Sequence, residues 1–226
     1  NLRITLTDGN ISKITEVPLT IVKRKGTGMF AIGFAGACVA FVIASFKKLR
    51  ECTIRIGARG DITVALFAAL AFGGVVVPVT LLGDFFHVIL VQFSGLITWI
   101  LNGIEQYIIL MALLILFRRP GVLSLFFLMR WLLSAILFGR VTLVGILICS
   151  VSIVVLEFVL WVWGFFKKEV ITKQYAVLIA VMIGIADAFI TFINMQQMMF
   201  FYRLYYADWF IALYMLVNGI LYSSIG

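Results

Sequence analysis

Seven strongly apolar segments fill most of this 226-residue chain. Hydrophobic residues make up 64% of the sequence and charged residues 12%, which leaves too little polar surface to cover a water-soluble globule. About 20 apolar residues suffice for a helix to cross a hydrocarbon core of about 30 Å. The pattern therefore predicts an all-α integral membrane protein. The predicted crossings are 29–46, 62–83, 102–117, 122–138, 142–166, 174–200 and 209–225.

The start of the chain has a different pattern. Leu2, Ile4 and Leu6 alternate with polar residues, which is typical of a strand, and residues 8–10 supply a turn signal. We predict a second strand at 18–22. Two strands are marginal alone, so either the natural chain continues upstream or the strands rest on another subunit.

The sequence thus predicts three units. Residues 1–28 form a short extracellular β segment, and residues 29–60 form an extra transmembrane helix with a basic cytoplasmic linker. Residues 61–226 form a bundle of six helices. The lipid bilayer is the solvent of the last two units.

Basic residues fall unevenly between the crossings. By the positive-inside rule, the side richer in Lys and Arg faces the cytoplasm. This places the N-terminus outside and the C-terminus in the cytoplasm of a bacterial cell membrane. The richer side carries Lys47, Lys48, Arg50, Arg55, Arg59, Arg118, Arg119, Lys167, Lys168 and Lys173, and the connections between crossings on the other side carry Arg140 and Arg203.

Residues 84–101 are apolar but interrupted by polar side chains. A separate crossing here would move Arg118 and Arg119 outside and remove the charge asymmetry. Joined to the next segment, the stretch would be too long for the hydrocarbon core. We interpret it as an outer loop, a re-entrant piece or an interfacial helix that roofs a pocket without spanning.

Ala65, Ala69 and Gly73 recur every four residues along the first helix of the bundle. Small residues at this spacing let another helix approach closely inside lipid. The partner helix belongs either to this chain or to another subunit, and the spacing leaves both possibilities open.

Three charged residues fall within the middle turns of apolar segments: Arg130, Glu157 and Asp187. An ionised side chain near the bilayer centre costs about 2.5–3.5 kcal/mol on insertion scales, so each needs a partner or a function. A structural pair of Arg130 with Asp187 or with Glu157 is the interpretation that we favour.

A ligand site is predicted near the outer ends of the helices. Glu105 lies about one turn inside its segment, and Trp99, Asn194, Gln197 and Trp209 fall at a similar level. An acidic group beside aromatic faces suits a cationic heteroaromatic ligand. The alternative for the aromatic residues is an interfacial belt.

Several classes of function receive no support from the sequence. The patterns of a P-loop, a zinc-binding helix and a nucleophile elbow are absent from residues 1–226, which argues against an enzyme. The three cysteines, Cys38, Cys52 and Cys149, show no metal-ligand or disulfide spacing. The Lys and Arg residues that give the net charge of +8 lie mainly in the connections between crossings. They indicate membrane topology rather than nucleic-acid binding. We expect neither a metal nor a cofactor.

The arrangement resembles a known family. Its clearest pieces are Arg119-Pro120-Gly121 between two predicted crossings, Glu157-Phe158 late in a later crossing, and the Ala65/Ala69 stripe. The chain is similar to the substrate-binding S component of energy-coupling-factor (ECF) vitamin importers, closest to the YkoE-like, thiamine-related branch. The resemblance implies a six-helix bundle that captures a vitamin-like molecule from outside. It also implies a transmembrane coupling subunit and two cytoplasmic ATPase subunits as partners.

Two other functions stay open at this point. The first is a subunit of an importer for haem or another cofactor. The second is a membrane anchor or assembly partner for an extracellular β domain, which would need no pocket. A membrane enzyme would require a convergent nucleophile or metal set, which the sequence does not supply.

The predicted topology can be tested by cysteine labelling. In a variant without the three native cysteines, Thr7→Cys and Ser94→Cys should react with an impermeant thiol reagent added outside whole cells. Arg119→Cys and Lys168→Cys should react only after the membrane is opened, because positive-inside connections face the cytoplasm. The reverse labelling pattern would contradict the orientation.

Overall fold

The computed structural model describes residues 2–8, 11–17, 26–90, 94–139, 141–167, 172–217 and 219. In this part of the chain, two strands precede a succession of α-helices. The strands are β1 (Leu2–Asp8) and β2 (Ile11–Val17). The helices are α1 (Thr27–Ala44), α2 (Phe46–Ala71), α3 (Val77–Leu90), α4 (Ser94–Leu116), α5 (Val122–Phe138), α6 (Leu143–Val162), α7 (Lys173–Phe201) and α8 (Asp208–Leu216). A π-helical turn (Phe72–Val76) joins α2 to α3, and a 3-10 turn (Phe165–Lys167) follows α6.

Several of these helices meet the length and hydropathy needed to cross a membrane. They are Thr27–Ala44, Phe46–Val79, Leu143–Val162 and Gln174–Phe201, and two shorter apolar helices are Gln106–Leu116 and Val122–Phe138. The prediction of a helical, multi-pass membrane protein is confirmed at this level. Seven crossings and the orientation of the termini stay predictions.

The N-terminal strands pair in antiparallel fashion. Leu2 lies opposite Val17, and Asp8 lies opposite Ile11. The second strand was predicted at 18–22, which lies outside the described residues, whereas β2 begins at Ile11. Four of the seven residues in Ile11–Val17 are β-branched, which favours the strand found there.

Helix α1 packs against α6 and α7 and shares their core. Its buried face consists of Gly28, Ala31, Ala35 and Cys38. The Thr27 hydroxyl donates to Oε1 of Gln196 at 3.1 Å, and the Phe34 ring meets the Phe189 ring edge to face. The extra helix is therefore part of the bundle and not a separate anchor beside it.

Helix α2 is broken at Gly57, whose φ of 76° is left-handed. Glycine adopts this conformation without the steric cost that a Cβ would add. The break separates a basic helical segment, 46–56, from the apolar helix that follows. The linker predicted between the first two crossings is thus helical.

The stretch 84–101 falls on two helices, and the prediction that it does not span the membrane stays a prediction. Its first part belongs to α3, which ends at Leu90, and its last part belongs to α4, which begins at Ser94. Polar residues such as Ser94 and Thr98 were interpreted as interruptions. Each costs a helix less than about 1 kcal/mol relative to Ala, so they do not end one.

Glu157 of α6 holds the first turn of α5. Gly121 precedes α5 with a φ of 94° and offers no side-chain cap. Oε1 of Glu157 instead accepts from the Gly121 amide at 3.1 Å, the Ser124 amide at 3.2 Å and the Ser124 hydroxyl at 2.6 Å. These contacts give Glu157 partners at the start of α5, and the pairing of Arg130 with Asp187 or with Glu157 stays a prediction. A helix N-terminus presents unpaired N–H groups and a positive dipole end, which together satisfy a carboxylate without a cation.

Removing this carboxylate should destabilise the bundle. Glu157→Ala leaves the Gly121 and Ser124 amides without their acceptor, and hydrogen bonds to charged groups contribute about 1.5–3 kcal/mol each. We expect the free energy of unfolding in detergent micelles to fall by about 2–4 kcal/mol. Glu157→Gln retains an acceptor oxygen and should lose less than half of that amount. Equal losses in both variants would contradict the capping role.

Candidate functional site

A cavity of about 360 Å³ lies inside the bundle, bounded by the π turn and by α4, α5, α6 and α7. We call it the central cavity. Its polar lining residues include Gln106, Tyr107, Arg130, Ser134, Asp187 and Asn194. Arg130 lies near the middle of α5 and Asp187 near the middle of α7. The cavity therefore reaches the middle of the bundle.

Arg130 and Asp187, which the sequence suggested as a pair, line this one cavity. The Tyr107 hydroxyl, from α4, hydrogen bonds with the Asp187 side chain. Charged groups inside a membrane protein are expensive and normally face a partner or a water-filled cavity. The two charges and the tyrosine give the cavity a polar floor.

Helix α7 supplies a polar stripe along its inner side. Asp187, Thr191, Asn194 and Gln197 follow one another at spacings of four, three and three residues, which places them on one helical face. The first three line the central cavity. Gln197 comes one turn later and is 0% exposed.

Two amides of this stripe have buried atoms without hydrogen-bond partners in the described part of the chain. They are Oδ1 of Asn194 and both amide atoms of Gln197. A buried polar atom left unpaired costs about 1–3 kcal/mol, and hydrocarbon offers no water to replace the bond. The neighbouring Gln196 is satisfied by Thr27. The unpartnered amides therefore mark where a polar ligand or an ordered water would be stabilised.

The five residues predicted for the ligand site have different outcomes. Asn194 lines the central cavity, and Gln197 is buried one turn beyond it. Trp209 does not line the central cavity and is 65% exposed, and its place in a ligand site stays a prediction. Its exposure is typical of an interfacial aromatic residue. Trp99 and Glu105 belong to α4, but their side chains lie outside the described residues.

Sequence reasoning missed several lining residues. Gln106 and Tyr107 of α4, and Trp131 and Ser134 of α5, contact the cavity. Gly103, Gln106 and Tyr107 are spaced at i, i+3 and i+4, which is the signature of one helical face. Periodicity along α4 could have selected them instead of the nearby acidic residue.

The small-residue stripe turns away from the core of this chain. Ala65 is partly buried, while Ala69 and Gly73 are exposed, and a Cβ added at Gly73 would meet open space. The face that packs inside the bundle is instead formed by Gly60, Val64, Ala68 and Ala71. Ala69 and Gly73 are therefore accessible to lipid or to another subunit.

Among the described residues, no group of three or more His, Cys, Asp or Glu side chains could hold a metal ion. Comparisons with protein-family models, with curated proteins and with solved structures found no match for this chain. The function is therefore argued from the geometry of the bundle.

The unpartnered amide of Gln197 gives a prediction about the ligand-free protein. Gln197→Met replaces it with an apolar side chain of similar length, so we expect the free energy of unfolding to rise by about 1 kcal/mol. Gln196→Met is the matched control, because it breaks the bond to Thr27 and should lower stability. Equal destabilisation by both substitutions would contradict an unpaired Gln197.

Proposed function

We propose that this chain is a substrate-binding membrane subunit of an importer, in which the central cavity captures a small polar molecule from outside. The observation that carries the proposal is a cavity between apolar helices that contains polar and charged side chains, together with buried amides, in the cavity wall and one turn beyond it, that lack partners among the described residues. An anchor or a purely structural bundle would gain nothing from such groups, because each one lowers its stability.

The cavity volume limits the size of the ligand. At about 360 Å³, it lies at the low end of the range of about 300–1,000 Å³ for small-molecule sites. A vitamin-sized molecule suits this volume better than a large macrocycle such as haem. The aromatic side chains of Tyr107 and Trp131 line the same space and offer faces for stacking.

The charges limit the chemistry of the ligand. Asp187 is the acidic group among the described lining residues, and Arg130 is the basic one. A cationic heteroaromatic ring would pair with Asp187, which replaces Glu105 as the residue that we assign to this contact. The amides of α7 would fix polar atoms at the edge of the ring. A thiamine-like compound has this combination of a cationic ring and hydrogen-bonding edge, and it remains the ligand class that we favour.

The importer class that we propose is the energy-coupling-factor type. Ala69 and Gly73 present a small-residue surface on which a transmembrane coupling subunit could dock. Residues 1–226 carry no P-loop pattern, so two ATPase subunits would supply the ATP hydrolysis. The central cavity and the surface formed by Ala69 and Gly73 lie on different faces of the bundle. Ligand capture and partner contact would therefore involve different residues.

Two variants test the two halves of this proposal separately. Asp187→Asn should weaken ligand binding about 10- to 100-fold, since a hydrogen bond to a charged group contributes about 1.5–3 kcal/mol, while leaving assembly intact. Ala69→Leu should disrupt recovery of the complex because Leu blocks the close approach, while leaving binding by the isolated subunit intact. The ligand would first be identified by mass spectrometry of the molecule retained by the wild-type chain.

Each variant has a matched control. Asp208→Asn removes a carboxylate from the first turn of α8, which does not line the cavity, and should bind normally. Ala40→Leu makes the same enlargement at an exposed position of α1 and should assemble normally. Recovery of the wild-type chain without ATPase subunits would reject the importer class. Unchanged ligand affinity in Asp187→Asn would reject the site.

A further inference from the structure

A second and larger cavity, of about 1270 Å³, lies where α1 ends, α2 begins and the connection between α4 and α5 meets α6. We call it the basic cavity. Four basic side chains line it: Lys48, Arg55, Arg118 and Arg119. It is separate from the central cavity and shares no lining residue with it.

The charge of the basic cavity favours an anionic occupant. Its lining carries two acidic residues, Glu51 and Glu157, against the four basic ones, which leaves a formal net charge of +2. Both acidic groups have partners in this chain. Glu157 accepts from the first turn of α5, and Glu51 lies 4.0 Å from Arg55.

One wall of the basic cavity is apolar and continues onto the outer surface of the bundle. Phe41, Phe158 and Trp161 line the cavity and are 60%, 61% and 67% exposed. In a membrane-spanning bundle, exposed side chains of this kind face acyl chains, and Trp is enriched near the headgroups. An occupant of this cavity therefore meets positive charge on one side and hydrocarbon on the other.

The local backbone explains why charge and apolar surface meet here. The break at Gly57 separates the basic segment 46–56 from the apolar helix after it. The Arg119 guanidinium donates to the Arg55 carbonyl at 2.8 Å, and Cys52 Sγ donates to the Pro120 carbonyl at 3.1 Å. These contacts hold the basic segment against the connection between α4 and α5, so that two basic clusters distant in sequence line one cavity.

We propose that the basic cavity binds an anionic phospholipid. The phosphate would lie among Lys48, Arg55 and Arg118, and an acyl chain would follow the apolar wall between α1 and α6. Basic pockets between transmembrane helices favour anionic headgroups. A soluble phosphate would use only the charged side, and a zwitterionic lipid would gain less from the net positive charge. The proposal does not depend on the importer function.

The test is native mass spectrometry of the purified, delipidated chain with phosphatidylglycerol, phosphatidylcholine or glycerol phosphate as the probe. We expect phosphatidylglycerol to bind at least 5-fold more tightly than phosphatidylcholine and to raise the Tm. Glycerol phosphate should not bind at the same concentrations. Equal binding of the two lipids would overturn the proposal. Binding of glycerol phosphate as tight as that of phosphatidylglycerol would also overturn it, in favour of a free-anion site.

Variants locate the lipid. The double variant Lys48→Gln/Arg118→Gln should lose most of the preference for phosphatidylglycerol. The control Lys47→Gln/Arg50→Gln removes the same charge from residues that do not line the basic cavity, and it should keep the preference. An equal loss in both would show general surface electrostatics and overturn the site.

A further variant tests the apolar wall without changing the charge. Val154→Trp fills part of the wall and should reduce phosphatidylglycerol binding while leaving the Tm of the lipid-free chain within a few degrees. Undiminished binding in this variant would exclude an acyl chain from the cavity and overturn the proposal.

Discussion

A polar group inside hydrocarbon has to find its partner within the protein, and the contact of Glu157 with α5 shows how this chain meets that constraint. One carboxylate oxygen accepts three hydrogen bonds from the start of α5. The same junction is tied to α2 through Cys52 and Pro120. These contacts fix α2, α5 and α6 relative to one another at one point. Their relative position determines which side chains face one another deeper in the bundle.

The region of the central cavity and the turn of α7 beyond it is one place where that constraint is not fully met. Tyr107 and Thr27 satisfy Asp187 and Gln196, but the buried oxygen of Asn194 and the amide of Gln197 find no partner among the described residues. A bundle selected only for stability would carry apolar residues at these two positions. A ligand that completes their hydrogen bonds would explain why these two amides are present. Binding would then recover the free energy that their unpaired atoms cost.

The sequence predicted the local features better than the contacts between helices. The limits predicted for one crossing, 122–138, coincide with those of α5, because hydropathy changes sharply at both ends. The sequence also indicated that Glu157 and Asp187 need partners. It could not identify the partners, because the register between helices is not encoded in the periodicity of any one helix. For the same reason it selected Ala65, Ala69 and Gly73 as a packing stripe but could not decide whether the stripe faces inward, and the structure leaves Ala69 and Gly73 exposed.

The π turn between α2 and α3 explains how one helical segment can place residues both on the outer face of the bundle and in the central cavity. A π turn inserts an extra residue and rotates the chain that follows it, and such turns occur often at functional sites. Ala69 precedes the turn on the outer face, whereas Val76, its last residue, lines the central cavity. A subunit docked on Ala69 and a ligand beside Val76 would contact one helix within two turns of each other. The proposed ligand contact and the proposed partner contact are therefore connected through this π turn.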